Sequence, residues 1–252
     1  MRPNETKRKL AGGGRAVGCF LRYPDAGLAE LIALQGFDFL VLDGEHGTLD
    51  PRDCEHLVRA CELRGATPLV RVPANDRAVI LRFLDTGAMG AHIPLIGSAE
   101  EAEAALQAVK YAPRGARGLA GVRAADYGQT MPLAEYVEWA NDETLVVIQI
   151  ETIEAIEHVE AIAAVDGVDV IFIGPTDLSQ ALGVTGQLSH PRAEQAYREI
   201  GAAVDASGKT LGVLAGDAAS VLAWRERGAR YIAVTSDSLV ARSAKALLAA
   251  VG

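Results

Sequence analysis

The chain has little cysteine, few aromatic side chains and no long hydrophobic run among its 252 residues. Three cysteines in irregular positions, Cys19, Cys54 and Cys61, fit neither a disulfide framework nor a zinc motif and indicate reduced thiols in a cytoplasmic protein. The charged start MRPNETKRKL is not followed by the apolar segment of a signal peptide. No apolar run approaches the roughly 18 residues of a membrane span, so we expect no membrane association.

Positive charge is also scarce, because 24 Lys and Arg residues face 33 Asp and Glu residues and the formal net charge is -9. A broad basic surface for a nucleic-acid backbone is therefore excluded. The glycine-rich stretch AGGGRAVG follows no strand and precedes no Lys-Ser/Thr pair, so it does not predict a phosphate-binding loop. A small acidic ligand would need a local positive site.

Lysine is the rarest of the common charged residues, and none lies at the carboxyl end of a predicted strand. A Schiff-base aldolase, which needs a lysine amine in its site, is therefore disfavoured. The lysines are Lys7, Lys9, Lys110, Lys209 and Lys245.

What the sequence does contain is an alternation of eight short β-rich runs with longer amphipathic segments. Eight such units in about 250 residues predict an α/β protein with a (β/α)₈ TIM barrel rather than an open doubly wound sheet. We expect one domain over residues 1–252, with 1–13 as a flexible N-terminal segment. The predicted strands are 16–21, 39–42, 68–72, 90–93, 145–150, 169–173, 210–214 and 231–235.

Two segments stand apart from this regular pattern. The connection 112–132, between the fourth and fifth strands, is rich in Gly and Arg and too long for a neutral connector, so we expect it to line or cover a site. Its arginines could bind an acidic or sugar-derived substrate tail or could serve assembly. The last segment, SLVARSAKALLAAVG, carries an apolar stripe and is either the eighth outer helix or a helix exchanged with a neighbouring subunit.

Catalytic groups of a parallel barrel lie at the carboxyl ends of its strands, and two carboxylates there are candidate metal ligands. Glu151 follows the fifth predicted strand by one residue, and Asp177 follows the sixth by four. Two carboxylates, waters and a chelating substrate suit Mg²⁺, and Mn²⁺ or Co²⁺ would accept the same oxygen ligands. The alternative is that Glu151 and Asp177 only cap the helices that follow them.

His46 and Arg71 are the other candidates at this end of the barrel. His46 could act as a base if Asp43 or Asp85 held its other ring nitrogen, or it could only satisfy backbone groups of its loop. Arg71, inside the run PLVRVP, needs an anionic partner if it points into the barrel. An outward-pointing Arg71 would conflict with the helices that cover that face.

Several segments, taken in order, resemble the metal-dependent pyruvate aldolases of the HpcH/HpaI family. The resemblance extends from about residue 14 to the end of the chain. The segments are FDFLVLDGEHG, PLVRVPANDRAVILRFLDTGAMGAHIPLI, KYAPRGARGLAGVRAADYG, QIET and IFIGPTDLSQALGVTGQLSHP.

The resemblance implies a barrel whose eighth helix is exchanged between subunits of a hexamer built as a trimer of dimers. It implies reversible cleavage of 4-hydroxy-2-oxo acids to pyruvate and an aldehyde through a metal-stabilised pyruvate enolate. By position, Glu151 and Asp177 would bind the metal, and His46 would be the base with Asp85 as its partner. Arg71 and Gln149 would lie beside the oxo acid, and the backbone of Thr176 and Asp177 would hold its carboxylate.

Two other functions remain open at this point. One is a lyase for CoA thioesters of the malyl or citryl type, which would share the barrel and the acidic metal site. The other is a barrel without catalysis that binds an oxo acid, because a fold alone does not prove activity.

Overall fold

Eight parallel strands close into a barrel in the order of the sequence, each hydrogen-bonded to the next and β8 to β1. The computed structural model describes residues 2–251. The predicted barrel is confirmed, and each predicted strand agrees with an observed one to within a residue at either end. The strands are β1 (Ala16–Leu21), β2 (Phe39–Asp43), β3 (Thr67–Arg71), β4 (Gly90–Ile93), β5 (Leu145–Ile150), β6 (Val170–Ile173), β7 (Thr210–Leu214) and β8 (Tyr231–Thr235).

Helices follow the strands and cover the outside of the barrel. Many begin at a residue that caps the free backbone N–H groups, as in the third helix, where Asp50 and Asp53 form a capping box around Pro51. The helices are α1 (Glu5–Ala11), α2 (Ala26–Leu34), α3 (Pro51–Arg64), α4 (Arg77–Leu84), α5 (Ala99–Val109), α6 (Leu133–Glu143), α7 (Ile153–Glu157), α8 (Val159–Ala164), α9 (Pro175–Ala181), α10 (Pro191–Ser207), α11 (Ala218–Glu226) and α12 (Ser236–Val251).

The strands are buried on both faces, which divides the apolar core into two parts. The larger part lies between the strands and the helices, and a smaller, aromatic-rich part fills the barrel interior. Phe20, Phe39, Phe172 and Tyr231 fill that interior and are each at most 2% exposed. Gly18 leaves the room that the Phe39 ring occupies, since a Cβ at that position would overlap it. The interior is therefore packed with side chains and leaves the chemistry to its rim.

The N-terminal segment differs from the sequence expectation of a flexible segment over 1–13. Residues 5–11 form α1, which Asn4 caps by accepting a hydrogen bond from the Lys7 N–H at 2.9 Å. Asn4 is fully buried and donates to the carbonyls of Met89 and Glu143, and Leu10 packs with the barrel interior. The polar groups at the start of α1 find partners on the barrel, which fixes this segment in place.

The connection 112–132 is tied to the helices by its arginines. It contains a short 3₁₀ segment, Arg123–Gly128. Arg123 Nη2 pairs with Glu62 at 2.6 Å, and Arg114 Nη1 pairs with Asp142 at 2.9 Å. That this connection lines a substrate site stays a prediction.

The last helix, α12, packs little against the rest of its own chain. Ser236 is its one buried residue, whereas Leu247, Leu248 and Val251 are 68%, 70% and 80% exposed. A groove of about 670 Å³ between α2 and α12 is lined mainly by apolar side chains. The amphipathic helix predicted from the sequence is confirmed, but its apolar stripe is left uncovered by residues 2–251. No described helix is both long and apolar enough to cross a membrane.

Candidate active site

The end of β2 and the end of β3 place a buried ion pair at the carboxyl rim of the barrel. Asp43 and Arg71 are direct partners in the strand register. Arg71 Nε and Nη2 donate to the two carboxylate oxygens of Asp43 at 2.8 and 2.6 Å, and the side chains are 6% and 0% exposed. The prediction that Arg71 points inward to an anionic partner is confirmed, and its guanidinium also lies 4.9 Å from the centre of the Phe20 ring.

Asp43 also organises the loop that follows it. Its Oδ1 accepts hydrogen bonds from the backbone N–H groups of Glu45 and His46 at 3.2 and 3.1 Å. Arg22 lies 3.3 Å from its other oxygen. Burial raises the pKa of Asp43, but the hydrogen bonds and charge of Arg71 outweigh that effect and bring the pKa below its ordinary value. Asp43 is therefore committed to Arg71 and to the loop backbone, not to the ring of His46.

Glu151 lies directly after β5 and is 4% exposed. Its Oε1 accepts a hydrogen bond from Gln149 Nε2 at 2.7 Å, and its Oε2 accepts one from the backbone N–H of Leu95 at 3.2 Å. Burial raises its pKa to about 7, and the negative charges of Glu45 and Asp177 act in the same direction. Gly174 permits this arrangement because a Cβ there would collide with Glu151 Oε1.

Asp177 lies in the first turn of α9, after β6, and is partly exposed. The cap residue Gly174 has no side chain, and among residues 2–251 no acceptor is recorded for the backbone N–H of Thr176 or Asp177. The alternative that Asp177 acts as the side-chain cap of this helix therefore finds no support. The helix start instead leaves two N–H groups that an anionic ligand could use.

Glu45 adds a third carboxylate at this rim, one to which the sequence analysis assigned no role. Its Oε2 lies 3.1 Å from Arg71 Nη1 without hydrogen-bond geometry and is a buried oxygen with no hydrogen-bond partner in the described chain. Burial raises the pKa of Glu45 even though Arg71 opposes the shift, and the charge of Asp177 adds to it. Glu45, Glu151 and Asp177 thus repel one another, and Arg71, already paired with Asp43, does not balance them.

This donor set fits a hard divalent cation. Carboxylate oxygens are the protein ligands that such ions prefer, and the unbalanced negative charge of the three acids is what a cation would offset. Within residues 2–251 no group of three or more His, Cys, Asp and Glu side chains already has the geometry of a metal site. A cation held by Glu151 and Asp177 would therefore take its remaining ligands from water or substrate.

His46 and Asp85 do not meet within one chain, in contrast to the expected pairing. His46 is 51% exposed, and its Nε2 lies 4.0 Å from Glu45 Oε2. The Asp85 carboxylate is bound by Arg117 Nη2 at 2.8 Å, and no contact with His46 is recorded in the described residues. The physical reason is that Arg117, itself buried, needs a counter-ion and finds it at the end of α4.

Gln149 occupies the barrel interior beside two residues that had received no chemical role. His92 Nδ1 lies 3.3 Å from Gln149 Oε1, and the Tyr231 hydroxyl lies 2.7 Å from His92 Nε2. The sequence did contain a signal for polar partners around His92, because a His inside a strand that is buried on both faces must find partners for both ring nitrogens.

Comparison with known proteins supports the assignment of the fold and identifies the family of the chain. Residues 16–244 match the model of the family described as HpcH/HpaI aldolase/citrate lyase. The chain is 40% identical over 242 residues to the hydroxypyruvate/pyruvate aldolase of Sagittula stellata, covering 96% of this chain and 94% of that protein. It is 38% identical over 247 residues to the 5-keto-4-deoxy-D-glucarate aldolase of Shigella boydii, covering 98% and 95%.

A solved structure of a family member has the same fold over almost the whole chain. A HpcH/HpaI aldolase/citrate lyase family protein from Burkholderia cenocepacia superposes with a TM-score of 0.93 at 35% identity, covering 98% of this chain and 99% of that one.

Proposed function

This chain belongs to the HpcH/HpaI aldolase/citrate lyase family, and we propose that it is a divalent-metal-dependent aldolase that reversibly cleaves 4-hydroxy-2-oxo acids to pyruvate and an aldehyde. The observation that carries the proposal is the convergence of Glu151, Asp177 and the buried Arg71 on one rim of the barrel. The aldolase names of both curated relatives support the same activity.

Glu151 and Asp177 would hold the metal, which could be Mg²⁺, Mn²⁺ or Co²⁺. When bound, a divalent cation supplies a Lewis acid that polarises the 2-oxo group of the substrate. The free N–H groups of Thr176 and Asp177 would bind the substrate carboxylate, and Gln149 would lie beside the oxo acid. Two of the five N–H donors of Arg71 are used on Asp43, which leaves donors for the 2-oxo oxygen.

The proposed reaction breaks one carbon–carbon bond and makes two proton transfers, one from the C4 hydroxyl to His46 and one to C3. His46, exposed at the rim, accepts the proton of the C4 hydroxyl as the C3–C4 bond breaks and the aldehyde forms. The electron pair of that bond moves into the pyruvate half and places negative charge on its 2-oxo oxygen. Arg71 stabilises that charge, and protonation at C3 completes pyruvate.

We also propose that Asp85 is the acidic partner of His46. Because Asp85 is paired with Arg117 and has no recorded contact with His46 within residues 2–251, we propose that the His46–Asp85 pair forms between two copies of the chain. This pairing agrees with a proposed hexamer, a trimer of dimers in which α12 is exchanged. The exposed apolar stripe of α12 supports such an exchange.

We also propose a single barrel domain over residues 1–252 and a cytoplasmic location. Support for these two proposals comes from the continuous eightfold β/α pattern and from three free, buried cysteines. The proposed partners are small-molecule oxo acids and aldehydes, with no nucleic acid and no membrane. The rival activity, a CoA-thioester lyase, is less well supported because both curated relatives reported above are named aldolases.

The test is pyruvate release from a panel of 4-hydroxy-2-oxo acids by protein stripped of metal and then supplied with Mg²⁺, Mn²⁺ or Co²⁺. We expect activity only with metal, and none in Glu151→Ala or Asp177→Ala. Asp166→Asn removes a charge at an exposed position and serves as the matched control, with activity within about twofold of the wild type. Pyruvate release that survives a chelator in both site variants would refute the proposal.

A further inference from the structure

One continuous line of hydrogen bonds runs through the barrel interior to the proposed metal ligand Glu151. It begins at the Tyr231 hydroxyl, 2.7 Å from His92 Nε2, and continues from His92 Nδ1 to Gln149 Oε1 at 3.3 Å. Gln149 Nε2 then donates to Glu151 Oε1 at 2.7 Å. Tyr231, His92 and Gln149 are completely buried, so water at the rim does not reach their polar atoms.

Aromatic rings surround this line and make its polar groups dependent on one another. The His92 ring meets Phe20 and Phe172 edge to face, with centroids 5.4 and 5.0 Å apart. Phe39 stacks on Tyr231 at 4.1 Å. A buried polar group that loses its partner in such surroundings has no replacement. Burial and the charge of Arg71 also lower the pKa of His92 to about 3, which keeps the ring neutral, with one donor and one acceptor nitrogen.

The donor and the acceptor in each hydrogen bond of this line follow from the charge of Glu151. The carboxylate of Glu151 accepts hydrogen bonds, so the amide nitrogen of Gln149 faces it and the amide oxygen faces His92. Nδ1 of His92 must then carry the ring hydrogen, and Nε2 must accept one. Tyr231 supplies that hydrogen, because its hydroxyl is the group beside Nε2.

We propose that Tyr231 and His92 are positioning residues that fix the orientation of the Gln149 amide and, through it, of the Glu151 carboxylate. The inference rests on the proposed function, because it gives Glu151 its role as a metal ligand. Tyr231 and His92 are both completely buried, and both act through Gln149.

Loss of the Tyr231 hydroxyl has a definite consequence. His92 then loses the donor to Nε2 that favours hydrogen on Nδ1. In the share of molecules where the hydrogen moves to Nε2, the bare Nδ1 repels Gln149 Oε1. The Gln149 amide rotates to relieve this repulsion, and its oxygen then faces and repels the Glu151 carboxylate. The other oxygen of Glu151 keeps its bond to the Leu95 N–H, so the carboxylate is displaced but not released.

The test compares His92→Leu with His92→Asn, two side chains of similar size. Both remove the ring, but the amide nitrogen of Asn can donate to Gln149 from the place of Nδ1. Mn²⁺ binding to metal-free protein, followed by electron paramagnetic resonance, gives a readout independent of turnover. We expect His92→Leu to weaken Mn²⁺ binding about tenfold or more and Tyr231→Phe to weaken it by a smaller factor, about three- to tenfold. His92→Asn should remain within about threefold of the wild type.

Phe39→Leu is the packing control, since it removes the ring stacked on Tyr231 and no polar atom. Equal weakening in Phe39→Leu, or unchanged binding in both His92→Leu and Tyr231→Phe, would overturn the positioning role. Glu151→Ala separates this result from the larger proposal: if it binds Mn²⁺ like the wild type, the proposed metal site is wrong. If it loses Mn²⁺ while the Tyr231 and His92 variants do not, only the positioning role is wrong.

A measurement on the unchanged protein decides the question even if a variant does not fold. Nitrogen-15 chemical shifts of the labelled histidine ring report which nitrogen carries the hydrogen. We expect the His92 signal to show hydrogen on Nδ1 and a bare Nε2 at about pH 8, where Glu151 carries its charge. Hydrogen on Nε2 would overturn the proposal.

Discussion

Asp43→Asn should uncouple the buried Arg71 from its counter-ion with little change in volume. In the wild type both oxygens of Asp43 accept hydrogen bonds from Arg71, and the two side chains are 0% and 6% exposed. The Asn side chain keeps one acceptor oxygen but presents an N–H group where the second oxygen was. The guanidinium then remains buried with Glu45 as its nearest other charge, 3.1 Å away.

Breaking a buried ion pair by changing one partner costs about 3–5 kcal/mol. We expect the lower end, about 3 kcal/mol, because one acceptor and Glu45 remain. For a chain of this size that corresponds to a fall in Tm of roughly 6–12 °C. The assay is calorimetric melting at fixed protein concentration, with turnover measured on the same samples.

The effect should also depend on pH in one direction. The folded-state pKa of Asp43 lies below the ordinary value, so its stabilisation is complete above the pKa of the unfolded chain, near 3.9, and is lost as pH falls through the folded-state value. The difference in Tm between wild type and Asp43→Asn should therefore shrink below about pH 4. A Tm within about 2 °C of the wild type at pH 7, or a difference that grows in acid, would refute the reasoning.

Two further predictions concern the rate and the assembly. Arg71→Ala should lower the turnover of retro-aldol cleavage about 100-fold or more, as expected for loss of an oxyanion donor. Arg64→Ala, at an exposed position, should stay within about twofold, and a loss below about tenfold for Arg71→Ala would contradict its role. The double variant Leu247→Asp/Leu248→Asp should form smaller species in light scattering, because charges on the apolar stripe of α12 oppose its burial. Ala249→Asp, on the other side of the helix, should keep the wild-type size, and the same size for the double variant and Ala249→Asp would contradict the exchange.

The strands could be predicted from the sequence almost to the residue because burial on both faces of a parallel strand leaves a continuous apolar signal. The place of Glu151 and Asp177 followed from the same rule, since catalytic groups of a barrel follow its strands. Arg71 was predictable for a related reason, because a charge inside such a run needs a partner.

Long-range partners could not be read from the sequence. The choice between Asp43 and Asp85 depended on where Arg71 and Arg117 lie in space, and each arginine takes one of the two acids. The structure of α1 was missed because its polar residues are satisfied by groups far along the chain, such as the carbonyl of Glu143. The line from Tyr231 through His92 joins strands that are distant in sequence but face each other across the barrel.

The central claim, that Glu151 and Asp177 hold a divalent cation, is tested most directly by anomalous scattering from crystals soaked in Mn²⁺ and pyruvate. The account predicts one strong Mn²⁺ peak in each chain, within bonding distance of both carboxylates, with the 2-oxo acid beside Arg71. A peak bound elsewhere, or carboxylates of Glu151 and Asp177 turned away from the ion, would contradict it.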